Sequence, residues 1–344
     1  MHYLQKLYRK EGDIMPLELR WVEGVTTVRE FVKAITTTIT QGETSSYWDL
    51  VYPKTLSEVT NKSILSTKPF SLDDDEQSTG EDREFYLMIE RPVIGEEGEL
   101  ALNYVELTIG DKLNEEGDGF AEEHYGEPAR YAWYRDFKDI EGLYYGEWLP
   151  IKYFMNIDLR TINLVIQGDP SIDVRPYKNA LFSWVYVGAI ESYEGGDKDV
   201  RGNFGLTVGS DIAPIKSMRF GANTGTGVLD IIMAYSRAGA PYQAHDVKFK
   251  ADNPYKDKYF IGPSEWTHKF HFDEITVIHK YDRERGKLRN VLIGDRSALE
   301  NNAELIYKKG TPEEKVYKSY QINSPYWVVE ESANPLYGVI LRKS

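Results

Sequence analysis

The chain has 344 residues, enough for one large or two ordinary domains with a substantial core, and its 41% hydrophobic and 13% aromatic content excludes a disordered polymer. With 41 Lys and Arg against 55 Asp and Glu the formal net charge is −14, so no general nucleic-acid-binding surface is expected. The absence of cysteine excludes disulfides, thiolate metal sites and a cysteine nucleophile together, no apolar run approaches the ~18 residues of a spanning helix, and the opening MHYLQKLYRKEGD lacks a signal peptide's apolar centre.

Residues 1–25 mix charged and apolar positions without a period, as an extended arm or a short strand pair would. A clear helix signal follows, because Val28, Phe31, Val32, Ile35 and Ile39 fall on one stripe of a 3.6-residue period. Thr27 and Glu30 have the spacing of a capping box, and Gly42 stands where a helix commonly ends. The β-branched run Thr36 to Thr38 weakens the second half of this helix.

Beyond Gly42 the pattern changes to short runs and period two. Tyr47–Tyr52, Phe85–Glu90, Asn103–Ile109, Thr161–Gln167 and Leu181–Ile190 read as strands, separated by turn chemistry such as Gly168-Asp169-Pro170 and Gly195-Gly196-Asp197. Val105, Leu107 and Ile109 alternate with Tyr104, Glu106 and Thr108, and Ile162, Leu164 and Ile166 repeat the arrangement, as expected for sheets with one wet face. Residues 196–227 are glycine-rich and poor in large apolar groups, a long loop carrying short strands. Val228–Tyr235 fits either a helix or a buried strand. A second β block contains His268–His279, Lys287–Ile293, Glu304–Tyr307, Val316–Ile322, Tyr326–Val329 and Tyr337–Leu341. The expected fold is mainly β: antiparallel sheets in a sandwich or barrel-like arrangement, one N-terminal amphipathic helix and long loops. Composition divides it into a helix-plus-β domain (1–195), a Gly-rich connecting region (196–255) and a C-terminal β domain (256–344).

The chemical motifs resolve mostly into ordinary surface. GANTGTG at 221–227 lacks the Gly-Lys-Ser/Thr ending of a phosphate-binding loop. His271 and His279 share a strand face ~26 Å apart at ~3.3 Å per residue, with His268 on the other face, so the three cannot chelate one ion. Asp111–Glu123 has the oxygen density of a calcium loop without its spacing, and reads as an acidic solvated loop. Carboxylates near aromatic rings, Glu147-Trp148, Asp136 and Glu265-Trp266, have the residue types of a glycosidase, whereas Ser183, Ser210 and Ser217 sit in no nucleophile elbow. No catalytic residue, metal or cofactor is assigned. The 25 Tyr against 13 Phe and 7 Trp suit half-buried strands, and equally protein contacts or sugar stacking.

Three stretches carry a resemblance. FVKAITTTITQGETSSYWDLVYPKTLSEVTNKSILSTK (Phe31–Lys68), EPARYAWYRDF with EWLPIKYFMNIDLRTINLVIQGDPSIDV (Glu127–Phe137, Glu147–Val174) and YKNALFSWVYVGAIESYEG (Tyr177–Gly195) resemble structural proteins of tailed bacteriophages of Gram-positive hosts. The resemblance spans a little over the first half of the chain and implies a non-enzymatic virion component of the tail, neck or baseplate. Such a component assembles in the host cytoplasm, self-associates and contacts other virion proteins. On that reading Trp48, Tyr52, Trp133, Tyr134 and Trp148 are interface aromatics, with core packing as the alternative for each. A receptor- or carbohydrate-binding module is the second functional expectation, and a hydrolase without a linear signature the third.

Overall fold

The computed structural model describes residues 19–41, 48–67, 86–94, 98–133 (except 103, 111, 123, 126 and 127), 146–158, 161–168, 182–189, 191–192, 203–208, 215–218, 232–236, 241–243, 273–279, 283–295, 299–322 and 337–344. The N-terminal part holds β1 (Arg20–Thr27), α1 (Phe31–Thr40), β2 (Trp48–Tyr52), β3 (Lys62–Thr67), β4 (Tyr86–Glu90), β5 (Val93–Ile94), β6 (Glu99–Leu100), β7 (Tyr104–Gly110) and β8 (Ala129–Ala132). There follow β9 (Pro150–Ile157), β10 (Thr161–Gly168), β11 (Phe182–Ala189), β12 (Glu191–Ser192), β13 (Asn203–Val208), β14 (Ile215–Met218), β15 (Ile232–Ser236) and β16 (Pro241–Gln243). The chain ends with β17 (Asp273–His279), β18 (Arg283–Asp295), β19 (Ala303–Tyr307), β20 (Lys315–Gln321) and β21 (Tyr337–Arg342).

The fold is mainly β, as the periodicity predicts, with antiparallel pairing in every sheet and α1 the single α-helix among the described residues. A front sheet runs β2-β3-β4-β7-β8, a middle sheet β1-β9-β10-β11-β13-β14, and a back sheet β16-β15-β17-β18-β21-β20-β19 with β12 beside β18. All three are open, and none closes into a barrel. From the glycine-rich 196–255 region, β13 and β14 extend the middle sheet while β15 and β16 extend the back sheet. Hydrogen-bonded ladders therefore join all three compositional regions. Val228–Tyr235, ambiguous by period, contributes to a strand, β15. Tyr326–Val329, His268, His271 and Gly221–Gly227 lie outside the described residues.

The predicted helix stripe is the buried one: Val28, Phe31, Val32, Ile35 and Ile39 are all essentially inaccessible. The helix starts later than the capping pattern implies. Val28 N–H donates to the Leu149 carbonyl (3.1 Å) and Arg29 N–H to Glu147 (2.8 Å), which holds both residues in sheet-like pairing and delays the first helical turn to Phe31. Of the predicted capping box only one half forms, Glu30 N–H donating to Thr27 Oγ1 at 3.3 Å. Thr38 and Thr40 are accommodated because their hydroxyls donate to carbonyls one turn back, Ala34 at 2.8 Å and Thr36 at 2.9 Å. The Arg20 guanidinium, reaching over from β1, donates to the carbonyls of Thr38 and Gln41 and satisfies the C-terminal end of α1.

The helix and the inner face of the front sheet close over one face of the middle sheet. Leu87, Ile89, Leu107 and Tyr131 meet Ile162, Leu164, Val185 and Val187 around Phe31, Ile35 and Ile39, leaving a cavity of only about 10 Å³, no larger than one water. Tyr131 crosses this layer, with its hydroxyl 2.8 Å from the Leu164 carbonyl and 3.1 Å from that of Ser183. Burial raises its pKa, so the hydroxyl stays a donor.

The expectation of a wet second face is corrected in the middle sheet. Asn163, Val165, Asn156, Phe154, Trp184 and Tyr186 point away from the first core and are buried as well, because the back sheet covers them. Tyr320 packs its ring at 4.8 Å from Phe154 and 5.7 Å from Phe182. In the front sheet the second face is half covered: Tyr104 and Thr108 are buried, and Glu106 is intermediate.

Candidate interaction surface

The five aromatic residues singled out from the sequence do not share one surface. Trp48 on β2 is fully buried and donates its indole N–H to the Asp158 carbonyl at 3.2 Å, tying the front sheet to the β9–β10 turn. Trp133, also fully buried, packs tilted against Phe31 with ring centres 4.6 Å apart and donates to the Leu102 carbonyl at 2.9 Å. These two rings fill the core with their polar handles satisfied. Tyr52 is half-buried, with the Lys62 ammonium 5.9 Å from its ring centre. Tyr134 lies outside the described residues. Trp148 is 71% exposed, the most accessible large apolar side chain among the described residues.

The position of Trp148 follows from the turn before β9. Leu149 N–H donates to the Gly146 carbonyl at 3.1 Å, and the indole lies where a Cβ on residue 146 would stand. Glycine at 146 thus lets the ring rest on the turn backbone with its other face open. Beside it a buried cation holds the turn in place. Arg91, 2% exposed, donates Nε to the Ala101 carbonyl (2.9 Å) and Nη2 to Glu147 Oε1 (3.2 Å), and Glu147 Oε2 lies 4.0 Å from Arg29 Nε. A buried guanidinium without this carboxylate would be costly, so the ion pair fixes Glu147 and with it the neighbouring Trp148. Val93, two residues beyond Arg91, is 59% exposed, and Val25 on β1 is 65% exposed. Strand β1 ends the middle sheet among the described residues. An anchored aromatic ring, two exposed valines and the end strand of the middle sheet among the described residues are the features this part of the chain offers a partner.

Sequence reasoning singled out Trp148 among five aromatics and missed the residues that position it. Arg91 reads as a strand-end charge beside Pro92, and nothing local marks it as the buried partner of a residue 56 positions away.

The other candidates have structural explanations. In the acidic loop Asn114 organises the turn, its Oδ1 accepting from the N–H groups of Asp118 (3.2 Å) and Gly119 (3.3 Å) and its Nδ2 donating to the Asp118 carboxylate (2.9 Å). Glu147 is committed to Arg91, while Asp136, Glu265 and Trp266 lie outside the described residues. Ser183 is buried within β11, and Ser217 lies on β14. Among the described residues no three His, Asp or Glu side chains are grouped as a metal site would require, and no helix is long and apolar enough to cross a membrane.

On the outer face of the front sheet, Lys62, Glu90, Glu106 and Arg130 stand directly opposite one another across four neighbouring strands. Arg130 Nε lies 3.4 Å from Glu106 Oε1. Burial raises the pKa of Glu90, Lys62 offsets part of that rise, and Glu106 adds to it.

No family model matches the chain, and no curated protein matches it in sequence.

Proposed function

We propose that the chain is a non-enzymatic structural protein of a bacteriophage virion, a tail, neck or baseplate component that works through self-association and contacts with other virion proteins. The observation that carries this reading is Trp148, 71% exposed, braced by the Arg91–Glu147 pair at the end of an open edge strand and accompanied by exposed Val25 and Val93. An exposed, anchored aromatic ring gains most when a partner removes it from water, and such rings dominate protein interfaces. The three stretches that resemble phage structural proteins support it further. Their described parts form α1, β2, β3, β8, β9, β10, β11 and β12, of which all but β12 build the core behind this surface.

Light scattering on the purified chain, alone and mixed with purified tail, neck and baseplate proteins, tests the reading. A ring-sized oligomer or a defined complex is expected, with Trp148→Ala weakening it by at least tenfold, about the effect of losing one interface anchor. A monomer indifferent to those proteins at every concentration would overturn it. Glycan-array binding lost in Trp148→Ala would replace it with the carbohydrate-binding reading.

A further inference from the structure

A second exposed region lies at the far end of the back sheet. Strand β19 is its terminal strand among the described residues, pairs with β20 without a register shift, and contains no proline. Ile306 is 41% and Tyr307 54% exposed. Lys308, with φ of 50°, begins the tight turn to β20, and its ammonium lies 5.4 Å from the Tyr307 ring centre. An edge of this kind, unbulged and uncharged over Leu305-Ile306-Tyr307, is a template for strand addition.

The strand's own sequence specifies the partner. When two copies of Ala303–Tyr307 are laid antiparallel with Ile306 opposite Ile306, Leu305 faces Tyr307, twice by symmetry, and Glu304 of each copy comes beside Lys308 at the start of the other's turn. Sliding the copies by one pairing step sets a charge against an apolar residue, and sliding further sets Glu304 against itself or Lys308 against itself. The charges already have partners in their own chain, Glu304 with Lys318 (3.8 Å) and Lys343 (3.2 Å), and Lys308 with Glu313. Glu304 and Lys308 side chains nonetheless remain 44% exposed, so a second copy extends both ion pairs without breaking them. We infer that β19 is a self-complementary edge through which two copies of this chain pair antiparallel about a two-fold axis at Ile306, joining their back sheets into one. This contact is separate from the Trp148 surface. A five-residue strand pair buries less than the ~1,200 Å² of a standard interface, so the dimer forms at high local concentration, as within an assembly.

The cysteine-free sequence makes the register directly testable in the full-length chain. Directly opposed residues of an antiparallel pair have Cα atoms about 4.5–5.5 Å apart, within disulfide range. Under mild oxidation Ile306→Cys is expected to form a covalent dimer at least tenfold faster than Tyr125→Cys, a comparably exposed control (45% against 41%) outside both surfaces. A mixture of Leu305→Cys and Tyr307→Cys is expected to cross-link at least tenfold faster than either alone. Trp148→Ala added to Ile306→Cys should leave the rate unchanged, which separates this contact from the proposed assembly surface. Sedimentation of the cysteine-free protein should show a concentration-dependent dimer that Ile306→Lys abolishes, with circular dichroism confirming that the variant folds. Equal rates for Ile306→Cys and Tyr125→Cys, no preference in the mixed pair, or a wild-type monomer at all concentrations would each overturn the inference.

Discussion

The two faces of the middle sheet are built from the same strands and closed by opposite chemistry. Toward the front sheet, Ile162, Leu164, Ile166, Val185 and Val187 pack against aliphatic and aromatic side chains, and the Tyr131 hydroxyl crosses to backbone carbonyls. Toward the back sheet, Asn156 and Asn163 stand side by side in register and reach outward to backbone groups. Asn156 Nδ2 donates to the carbonyls of Asn290 (3.0 Å) and Arg342 (2.9 Å), Asn163 Nδ2 donates to Arg289 (3.1 Å), and the Tyr186 hydroxyl accepts from Arg289 N–H (3.3 Å). The reason lies in the back sheet. At Asn290 the backbone turns left-handed (φ 58°), just beyond the last β18–β21 pair at Val291 and Leu341, and the register with β17 shifts. Backbone groups at 289 and 290 thereby fall outside regular pairing with β21, and the amide side chains satisfy them. Asp158 locks this seam. Its Oδ1 accepts Thr161 N–H at 2.7 Å, its Oδ2 accepts from Asn290 Nδ2 at 2.8 Å and lies 3.5 Å from Arg289 Nε, while its carbonyl receives Trp48. One face is held by area, which tolerates adjustment, and the other by directional bonds, which do not.

The largest expected effect breaks the directional face. Asp158→Ala removes the acceptor for Thr161 and Asn290 and leaves the Arg289 cation in a largely buried place, a loss of about 4 kcal/mol by urea unfolding. A loss below about 1 kcal/mol would show that the seam does not interlock the sheets.

Leu164→Ala tests the other face. The deletion enlarges the existing cavity of about 10 Å³ and is expected to cost about 3 kcal/mol. Partial collapse of the aliphatic neighbours should hold it below the Asp158 effect, and the reverse order would refute the contrast.

The smallest effect comes from the outer face of the front sheet, where solvent reaches the charges. The Glu90 carboxyl, at about 4.5 when unfolded, titrates higher in the folded protein, so the native state binds more protons between those values and stability falls as pH rises through them. Glu90→Gln, which does not titrate, should therefore stabilise at pH 7 by about 0.5 kcal/mol, the size of one like-charge cross-strand contact. The gain should vanish below about pH 4.5; a gain that persists there would assign it to packing rather than charge.

Much of the secondary structure was legible because hydrocarbon periodicity is local. The stripe Val28 to Ile39 and the runs that became β2, β4, β7, β10 and β11 are readable because each is a regular apolar spacing or a short apolar run bounded by turn residues. Strand β9 was missed for the complementary reason. PIKYFMNI is buried between two layers as β10 and β11 are, but Lys152 and Asn156 interrupt its apolar residues and leave neither a clean alternation nor an unbroken apolar run to mark it. The candidate surface was legible only in part. Trp148 was named, but Trp48 and Trp133 look the same in sequence and are core.

The sequence by itself determined a cysteine-free, acidic, mainly β chain with one amphipathic helix, because composition and spacing along a strand are properties of neighbours. Only the tertiary structure decided that the middle sheet is covered twice, that Asp158 joins three sheets, that Arg91 is buried under Glu147, and that Trp148 alone of the described tryptophans singled out faces water. Each of those outcomes depends on which distant strand arrives opposite. Local periodicity records that a face will be buried, and the partner's backbone determines whether hydrocarbon, an amide or a charge must fill it.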